Sequence, residues 1–342
     1  MTQTVRDIGE FGLIAELRDT LSPEVAAGPG LMIGIGDDAA VWTPTLGESV
    51  VVTTDSLIEG IHFRLDWTDW RSLGHKALAV NLSDLAAMGA KPKLATITLG
   101  LTGYELVEDL KEFYRGIDAL AAAHAIVVAG GDIVASPSGL ALHVTMLGET
   151  RLGRVLTRSG ARPGDLICVS GTLGAAAAGY RVLLEGENGP HTGLASTDLL
   201  VAAHLRPQPR IALGNVLLER GATAAMDLSD GLLGDLPKIV SMSDVRGMID
   251  LRLLPVASAV RALFPDDWLE LASRGGEDYE LLFTLPPELF GEARAEADQV
   301  GSTISQIGEI PHATQAGPRL TQIDLDGIER ESDLGAFDHF RN

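Results

Sequence analysis

Short apolar runs alternate with longer helical patterns along the whole chain. Apolar runs bounded by Gly, Pro or Asp predict strands, and residues 140–146 alternate apolar and polar side chains as a half-buried strand does. Apolar residues at helical spacing are clearest in five segments. The predicted strands are 50–54, 95–101, 125–129, 140–146, 167–170, 224–227, 248–251, 280–284 and 305–310. The predicted helices are 72–88, 106–124, 175–185, 209–220 and 288–300.

This mixture predicts an α/β or α+β fold in which both halves of the chain are built in the same way. At roughly 150 residues per domain, 342 residues suggest two domains, each with its own core. A change of composition at 148–160 places the boundary, which gives domains 1–150 and 151–342. Residues 186–197 have the composition of an exposed loop inside the second domain.

The composition indicates a folded and strongly acidic protein. Apolar residues make up 46% of the chain, which argues against disorder, while 26 Lys and Arg against 47 Asp and Glu give a net charge of −21. Such a field repels nucleic acid and anionic membranes, so neither is an expected partner. An anionic small molecule stays compatible with the sequence, because divalent cations reverse the local sign of a site.

A single cysteine, Cys168, lies in an apolar run. It excludes an intramolecular disulfide and a multi-cysteine metal site, and a core thiol is favoured over a nucleophile. Residues 1–10 lack the pattern of a signal peptide, and no stretch reaches the roughly 18 apolar residues of a membrane helix. We therefore expect a soluble cytoplasmic protein.

Asp84 is a carboxylate in an unexpected place. On a helical wheel it lies within the apolar stripe that includes Leu73, Ala77 and Val80. A buried carboxylate needs a cation or an array of donors. A metal ligand and a structural salt bridge, to Lys76 or to an arginine elsewhere, are both open.

Other aspartates follow predicted strands. In α/β proteins ligands bind beyond the carboxyl ends of strands, so such aspartates are candidate ligand contacts. Asp and Gly also form ordinary turns and N-caps, and Asp230 could simply cap the helix that follows it. Carboxylate oxygens, with few His or Cys candidates nearby, are the ligands that suit Mg²⁺ bridging a protein to phosphates. The sequence contains neither a P-loop motif nor the motif set of a protein kinase. These residues predict a phosphate-handling enzyme that uses several Mg²⁺ ions. They are Asp38, Asp55, Asp132, Asp227 and Asp230.

Seven motifs, in this order, give the chain a resemblance to the thiamine-monophosphate kinases, within the aminoimidazole ribonucleotide synthetase-like superfamily. The resemblance extends from about residue 9 to the terminal His-Phe at 339–340. The motifs are Gly-Ile-Gly-Asp-Asp-Ala-Ala-Val at 34–41, Thr-Thr-Asp-Ser-Leu at 53–57 with Gly-Ile-His-Phe at 60–63, the run 76–90, Gly-Gly-Asp at 130–132, Thr-Arg-Ser-Gly-Ala-Arg-Pro-Gly-Asp at 157–165, Asp-Leu-Ser-Asp-Gly at 227–231 and Ser-Arg-Gly-Gly-Glu-Asp-Tyr-Glu-Leu at 273–281.

The resemblance implies direct transfer of the γ-phosphoryl group of ATP to thiamine monophosphate, assisted by several Mg²⁺ ions. It also implies a two-domain α/β fold and a homodimer whose N-terminal domains form a shared β-barrel. The implied metal ligands are Asp38, Thr53, Thr54, Asp55, Asp84, Asp132, Asp227 and Asp230. The implied ATP contacts are Tyr114, Gly131, Asp132, Arg158 and Ser229, and the substrate contacts are His62, Glu277 and Phe337. The implied catalytic group is Asp55, Asp132, Arg158 and Asp230.

Some alternatives stay open at this point. His62 is a substrate contact or a histidine packed near Phe63, and Glu277 is a substrate contact or a turn carboxylate. The segment 206–210, Arg-Pro-Gln-Pro-Arg, is more typical of a helix start than of a partner site. Asp37 and Asp278 have no predicted role. A non-catalytic thiamine-phosphate sensor, or another ATP-dependent enzyme of the superfamily, would share much of the scaffold.

Overall fold

The structure is a computed structural model that describes residues 3–186, 189–312 and 319–332. The chain divides into two compact units, which we call unit 1 (Met1–Leu85 and Ala90–Gly153) and unit 2 (Ala86–Gly89 and Arg154–Asn342). Both units mix helices with sheet, in agreement with the predicted fold class. No helix in the part of the chain that the structure describes has the length and apolar character needed to cross a bilayer.

Unit 1 is built around a four-stranded sheet with the strand order β3-β6-β4-β5. β3 pairs antiparallel with β6 and β6 with β4, while β4 and β5 are parallel. The sheet is open, with β3 and β5 at its two edges. The elements of unit 1 are α1 (Val5–Arg18), α2 (Pro23–Ala26), β1 (Leu31–Ile33), β2 (Val41–Trp42), β3 (Glu48–Ile58), α3 (Trp70–Ala87, whose last two residues belong to unit 2), β4 (Lys91–Leu101), α4 (Val107–Ala123), β5 (Val127–Ala135) and β6 (Ala141–Arg151).

α3 and α4 approach each other backbone to backbone. A Cβ added at Gly74 of α3 would lie 1.9 Å from the carbonyl oxygen of Phe113, and one at Gly116 of α4 would lie 2.0 Å from that of Arg71. Only glycine therefore fits at either position of this crossing. α3 lies over one face of the sheet, since its Leu85 reaches within 3.1 Å of the Cβ position of Gly148 on β6.

Unit 2 contains a seven-stranded sheet with the order β13-β12-β9-β11-β7-β10-β8, antiparallel except for the pair β9–β12. Buried aliphatic side chains from this sheet and from α8 form its main core. The elements are β7 (Leu166–Ser170), α5 (Ala175–Glu185), α6 (Ala195–Leu205), α7 (Ile211–Arg220), β8 (Ala224–Asp227), α8 (Leu232–Met242), β9 (Gly247–Asp250), α9 (Ser258–Leu263), α10 (Trp268–Arg274), β10 (Leu281–Leu285), α11 (Phe290–Gln299), β11 (Ile304–Glu309), β12 (Leu320–Ile323) and β13 (Glu329–Glu331).

Each predicted strand and helix overlaps an observed one, but two strand ends were placed wrongly. β3 continues through Asp55 to Ile58, and β5 continues through Asp132 to Ala135. The apolar run of β3 stops because polar residues occupy positions 53–56 of this edge strand, and that of β5 stops because its later half is mostly exposed. The predicted loop at 186–197 is also too long, since α6 begins at Ala195.

Candidate active site

A carboxylate pair lies on the face of the unit 1 sheet that α3 covers. The hydroxyl of Thr53 on β3 donates a hydrogen bond to Oδ2 of Asp84 on α3. Burial, and then the charge of Asp84, raise the pKa of Asp55 to about 6. Two half-buried carboxylates that repel each other, beside a hydroxyl oxygen, provide donors that fit a hard divalent cation such as Mg²⁺.

The hydroxyl of Thr54 is not part of this group. Side chains alternate between the two faces of a strand, so Thr54 projects away from Thr53 and Asp55. Its hydroxyl donates to the carbonyl oxygen of Val144 at 3.1 Å and accepts from Thr145 at 3.1 Å. Any contribution of Thr54 to a site on the α3 side comes from its backbone carbonyl.

Asp132 and Asp55 lie on opposite edges of the sheet. Asp132 on β5 pairs with Thr98, which pairs with His143, which in turn pairs with Ser56 on β3. Three inter-strand distances of about 4.8 Å therefore separate the two edges, about 14 Å in all. One copy of unit 1 does not bring these two predicted ligands together. Both also lie inside strands, which corrects the prediction that they follow strand ends.

The other predicted residues of unit 1 are dispersed. Asp38 is exposed between β1 and β2. Gly131 lies against β4, because a Cβ there would be 1.8 Å from the carbonyl oxygen of Ile97. Tyr114 is buried on α4, and this burial raises the pKa of its hydroxyl. Nδ1 of His62 accepts a hydrogen bond of 3.1 Å from the backbone of Ile58, so the proton of a neutral ring is on Nε2.

In unit 2 two of the predicted motifs pair along their backbones. The N–H of Glu277 donates to Ser229 at 2.9 Å, that of Tyr279 donates to Leu228 at 2.9 Å, and that of Leu228 donates to Glu280 at 2.8 Å. Residues 227–231, which begin at the last residue of β8, are thereby joined to residues 275–280, which we call the acidic loop. The structure thus brings Asp227, Ser229, Asp230 and Glu277 into one region.

Asp230 is bound by a lysine rather than capping a helix. Its Oδ2 lies 2.6 Å from Nζ of Lys238 on α8. The side chain that supports the turn is Asp235, which accepts from the backbone N–H groups of Ser229 at 3.0 Å and of Asp230 at 2.9 Å. Asp235 is buried, its pKa is raised by that burial, and its other oxygen accepts from Lys238 at 2.7 Å.

The acidic loop has an unusual backbone. Glu277 and Tyr279 both have left-handed φ values, 66° and 48°. Between them, Asp278 accepts from the N–H groups of Gly174 at 2.8 Å and Ala176 at 3.3 Å, and so caps the start of α5. Part of Asp278 reaches the surface, but its carboxyl group is shielded from water, and this burial raises its pKa to about 7.

The remaining predictions have simple outcomes. Arg158 is exposed, and Phe337 lies outside the described residues. Cys168 is buried in the core, as expected, and this burial raises the pKa of its thiol to about 12. Across the described ranges, no three His, Cys, Asp or Glu side chains are grouped so that they could hold a metal ion. A cavity of about 270 Å³ in unit 2 is lined by none of the predicted residues, but by Pro163, Asp244, Val245, Arg246, Pro311 and Arg319.

Comparison with known proteins gives the family. The AIR synthase related protein family matches the chain with its N-terminal domain at residues 36–150 and its C-terminal domain at 162–317. The chain is 35% identical to the thiamine-monophosphate kinase of Bacillus subtilis (strain 168) over 307 residues, which cover 90% of this chain and 93% of that protein. The chain belongs to the thiamine-monophosphate kinase family.

Solved structures of thiamine-monophosphate kinases share the fold. The crystal structure of the kinase from Stenotrophomonas maltophilia K279a has a TM-score of 0.81 and 38% identity, and covers 96% of this chain and 98% of that one. The structure of AaThiL complexed with AMPPCP and TMP has a TM-score of 0.76 and 32% identity, covering 99% of this chain and all of that one. The two-domain fold of AIR synthase related proteins is therefore present here.

In this thiamine-monophosphate kinase family member, the structure adds residues that the sequence did not single out. Asp235 and Lys238 hold the turn at 229–230, Asp278 caps α5, and Glu280 accepts a 2.8 Å hydrogen bond from Nε of Arg210. The segment 206–210 precedes α7, as predicted, but its last arginine also fixes the acidic loop. The sequence does contain an indication of these contacts, because three acids surround one tyrosine at 277–280. So many carboxylates next to a buried strand need hydrogen-bond or ion-pair partners.

Proposed function

We propose that this protein transfers the γ-phosphoryl group of ATP to the phosphate of thiamine monophosphate, and so produces thiamine diphosphate and ADP. The observation that carries the proposal is the likeness, over 99% of this chain, to AaThiL with AMPPCP and TMP bound. AMPPCP is an analogue of ATP, so that structure holds both a donor and an acceptor. We place the reaction in the cytoplasm, with neither nucleic acid nor membrane as a partner.

Magnesium is the proposed metal, and the donors in unit 1 fit it. Asp55, Asp84 and Thr53 supply hard oxygens, and Asp227 and Asp230 supply two more carboxylates in unit 2. Bound Mg²⁺ would neutralise phosphate charge and hold donor and acceptor for in-line displacement. Asp230 is available to a cation only when Lys238 is displaced or shares its carboxylate.

The protein's own residues mainly bind and orient the two substrates. Arg158 is an exposed guanidinium that would pair with phosphate oxygens as a planar donor. His62, with its proton on Nε2, donates to the substrate, and Glu277 pairs with the cationic thiamine moiety. Ser229, Tyr114 and Gly131 are the proposed ATP contacts, and Phe337 is a further substrate contact. Since no residue has to be phosphorylated, direct transfer is the simplest mechanism.

We further propose that the working form is a homodimer in which the unit 1 sheets close into a β-barrel. β3 has an unpaired edge, and the valines at 50 and 52 are exposed on one of its faces. Closing the sheet edge to edge with a second copy would bring Asp55 of one copy towards Asp132 of the other. This pairing accounts for two predicted ligands that lie about 14 Å apart in one copy.

The test incubates the purified protein with Mg²⁺, ATP and thiamine monophosphate and follows thiamine diphosphate and ADP by chromatography. We expect both products in equal amounts, and neither when Mg²⁺ is chelated. Tight binding of thiamine monophosphate without turnover would refute the kinase and favour a sensor. Turnover of ATP that is independent of thiamine monophosphate would indicate a different enzyme of the superfamily.

A further inference from the structure

Two of the three carboxylates of the acidic loop, those of Asp278 and Glu280, are fixed by hydrogen bonds to other segments of unit 2. Asp278 caps α5, and Glu280 is bound by Arg210 and by the hydroxyl of Ser170. These contacts fix the backbone just after Glu277, whose left-handed φ of 66° is unfavourable for a side chain with a Cβ. Such a conformation persists where its surroundings hold it, and often at functional positions.

His204 approaches Glu277 from the last turn of α6. Its Nδ1 lies 3.0 Å from Oε2 of Glu277, and its side chain is 5% exposed against 28% for the glutamate. The contact lacks hydrogen-bond geometry, and Nδ1 has no other hydrogen-bond partner within the described residues. A buried ring nitrogen without such a partner is costly, so its closeness to a single carboxylate oxygen is significant.

The imidazole is held in place by groups other than Glu277. α5 and α6 cross closely at Gly179, where a Cβ would lie 2.0 Å from the carbonyl oxygen of Leu200. His204 lies one turn beyond Leu200 on the same face of α6. The ring of Tyr180, next to Gly179, packs against the imidazole at 5.3 Å between centroids. The ring is therefore a fixed support beneath a carboxylate that reaches solvent.

We propose that His204 is a positioning residue, which fixes the Glu277 carboxylate for the cationic thiamine moiety of the substrate. The inference rests on the proposed function, in which Glu277 contacts thiamine monophosphate. A glutamate side chain loses rotamer freedom when it binds, and a support that restricts it beforehand strengthens binding. The side-chain contacts of His204 are with Glu277 and Tyr180 and not with a proposed metal ligand, so we expect it to act on substrate affinity and not on phosphoryl transfer.

The experiment compares His204→Phe, which keeps a ring against Tyr180, with His204→Asn, which keeps a nitrogen donor near the position of Nδ1. We expect the Phe variant to raise KM for thiamine monophosphate about five- to tenfold, the cost of ordering one rotamer-rich side chain on binding. KM for ATP and kcat should stay within about twofold, as they do when only uniform binding is lost. The Asn variant should recover most of the affinity.

A second histidine in unit 2 provides a matched control. Nδ1 of His191 lies 2.9 Å from Oε2 of Glu185, and its ring packs on Phe264 at 4.5 Å, but it does not contact the acidic loop. His191→Phe should leave both KM values unchanged. A double-mutant cycle completes the test, since His204→Phe should have no further effect once Glu277→Gln is present.

Three results would overturn the proposal. The first is an unchanged KM for thiamine monophosphate in His204→Phe. The second is an increase of this KM by His204→Phe that is equally large when Glu277→Gln is already present. The third is a fall in kcat and in melting temperature in both His204→Phe and His204→Asn. If the wild type phosphorylates thiamine monophosphate and His204→Phe does so with the same KM, the role of His204 is refuted and the proposed function stands. A wild type that neither binds nor phosphorylates thiamine monophosphate refutes the proposed function, and this role with it.

Discussion

Asp55 and Asp84 form a pair whose cost to stability fits a role in binding a cation. Burial and the neighbouring Asp84 raise the pKa of Asp55 to about 6, so at neutral pH two half-buried carboxylates repel each other. Thr53 satisfies one oxygen of Asp84 but carries no charge to offset the repulsion. A cation that binds only the folded protein would relieve it and would stabilise that state by mass action.

The first prediction concerns this pair. Asp55→Asn removes one of the two charges, so in the absence of Mg²⁺ at pH 8 it should raise the melting temperature by about 2–4 °C. Mg²⁺ should raise the melting temperature of the wild type but hardly that of the variant, whose kcat should fall at least about a hundredfold. Thermal scans with and without Mg²⁺, together with the turnover assay, measure both effects.

Asp19→Asn is the control for this variant, because Asp19 is an exposed acid at the end of α1. It should change neither the Mg²⁺ response nor turnover. A wild-type melting temperature that does not respond to Mg²⁺ would contradict the proposed role of the Asp55–Asp84 pair.

The second prediction concerns the pH dependence of stability. Burial raises the pKa of Asp278 from 3.8 to about 7, so between these values the folded state binds a proton that the unfolded state has released. The free energy of unfolding should therefore fall as pH rises from about 4 to about 7. Asp278→Asn should flatten this slope in urea titrations across the range, whereas Asn at the exposed Asp298 should leave it unchanged. Parallel slopes for wild type and Asp278→Asn would contradict the assignment.

The α3–α4 crossing shows how two elements position a site side chain. Because neither glycine at the contact carries a Cβ, the two helix backbones touch, and this contact fixes the position of α3 relative to α4. Asp84 lies on α3 and Thr53 on β3, so the hydrogen bond between them depends on where α3 is placed. The helix packing therefore acts on the carboxylate pair from a distance.

The third prediction tests the crossing. Gly116→Ala places a methyl group 2.0 Å from the carbonyl oxygen of Arg71, so it should destabilise the protein by about 1–3 kcal/mol, although alanine is the better helix former. Gly291→Ala on α11 meets no atom within 4 Å and should stabilise by up to about 1 kcal/mol. Urea titrations measure both values, and two changes of the same sign would contradict the packing argument.

On the scale of the whole molecule, the edges of the unit 1 sheet are the features that support the proposed dimer. Its sheet leaves β3 and β5 as edges, and Val52 on β3 and Val134 on β5 are 63% and 47% exposed. Apolar side chains on an unpaired strand are typical of an interface. The same edge-to-edge pairing would also bring together Asp55 and Asp132, the two proposed ligands that lie on opposite edges of one sheet.

The fourth prediction follows from the dimer proposal. Val52→Lys places a charge on the exposed face of β3 and should convert a dimer into a monomer in analytical ultracentrifugation, with loss of turnover. Leu325→Lys, at an exposed apolar position in unit 2, should affect neither property. A wild type that is monomeric and fully active would refute both the barrel and the shared site.

Much of the fold could be predicted because buried strands and amphipathic helices leave periodic apolar patterns. The short strands β1, β2, β12 and β13 are not predicted, since strands of two to four residues are too short to show such a period. The ends of β3 and β5 were missed because polar residues are tolerated at a sheet edge. No local sequence pattern indicates which strand lies at the edge of a sheet or which strand it pairs with.

The candidate site was predictable only where a residue conflicts with its surroundings. Asp84 was found because it is a carboxylate in an apolar helix face. The importance of His204 and Asp278 comes instead from partners that are distant in sequence, such as Gly174, 104 residues before Asp278. Contacts of this kind follow from tertiary structure, and no local pattern indicates them.

The open edges of unit 1 have a consequence for the newly synthesised chain. Within the described residues, the outer edges of β3 and β5 leave backbone N–H and C=O groups unpaired beside exposed valines, and before the proposed pairing with a second copy such edges are a template for adding strands from any other chain. Correct pairing therefore competes with aggregation from the moment unit 1 folds. We expect the soluble yield to fall when synthesis outpaces folding, and to recover when expression is slowed by lowering the temperature.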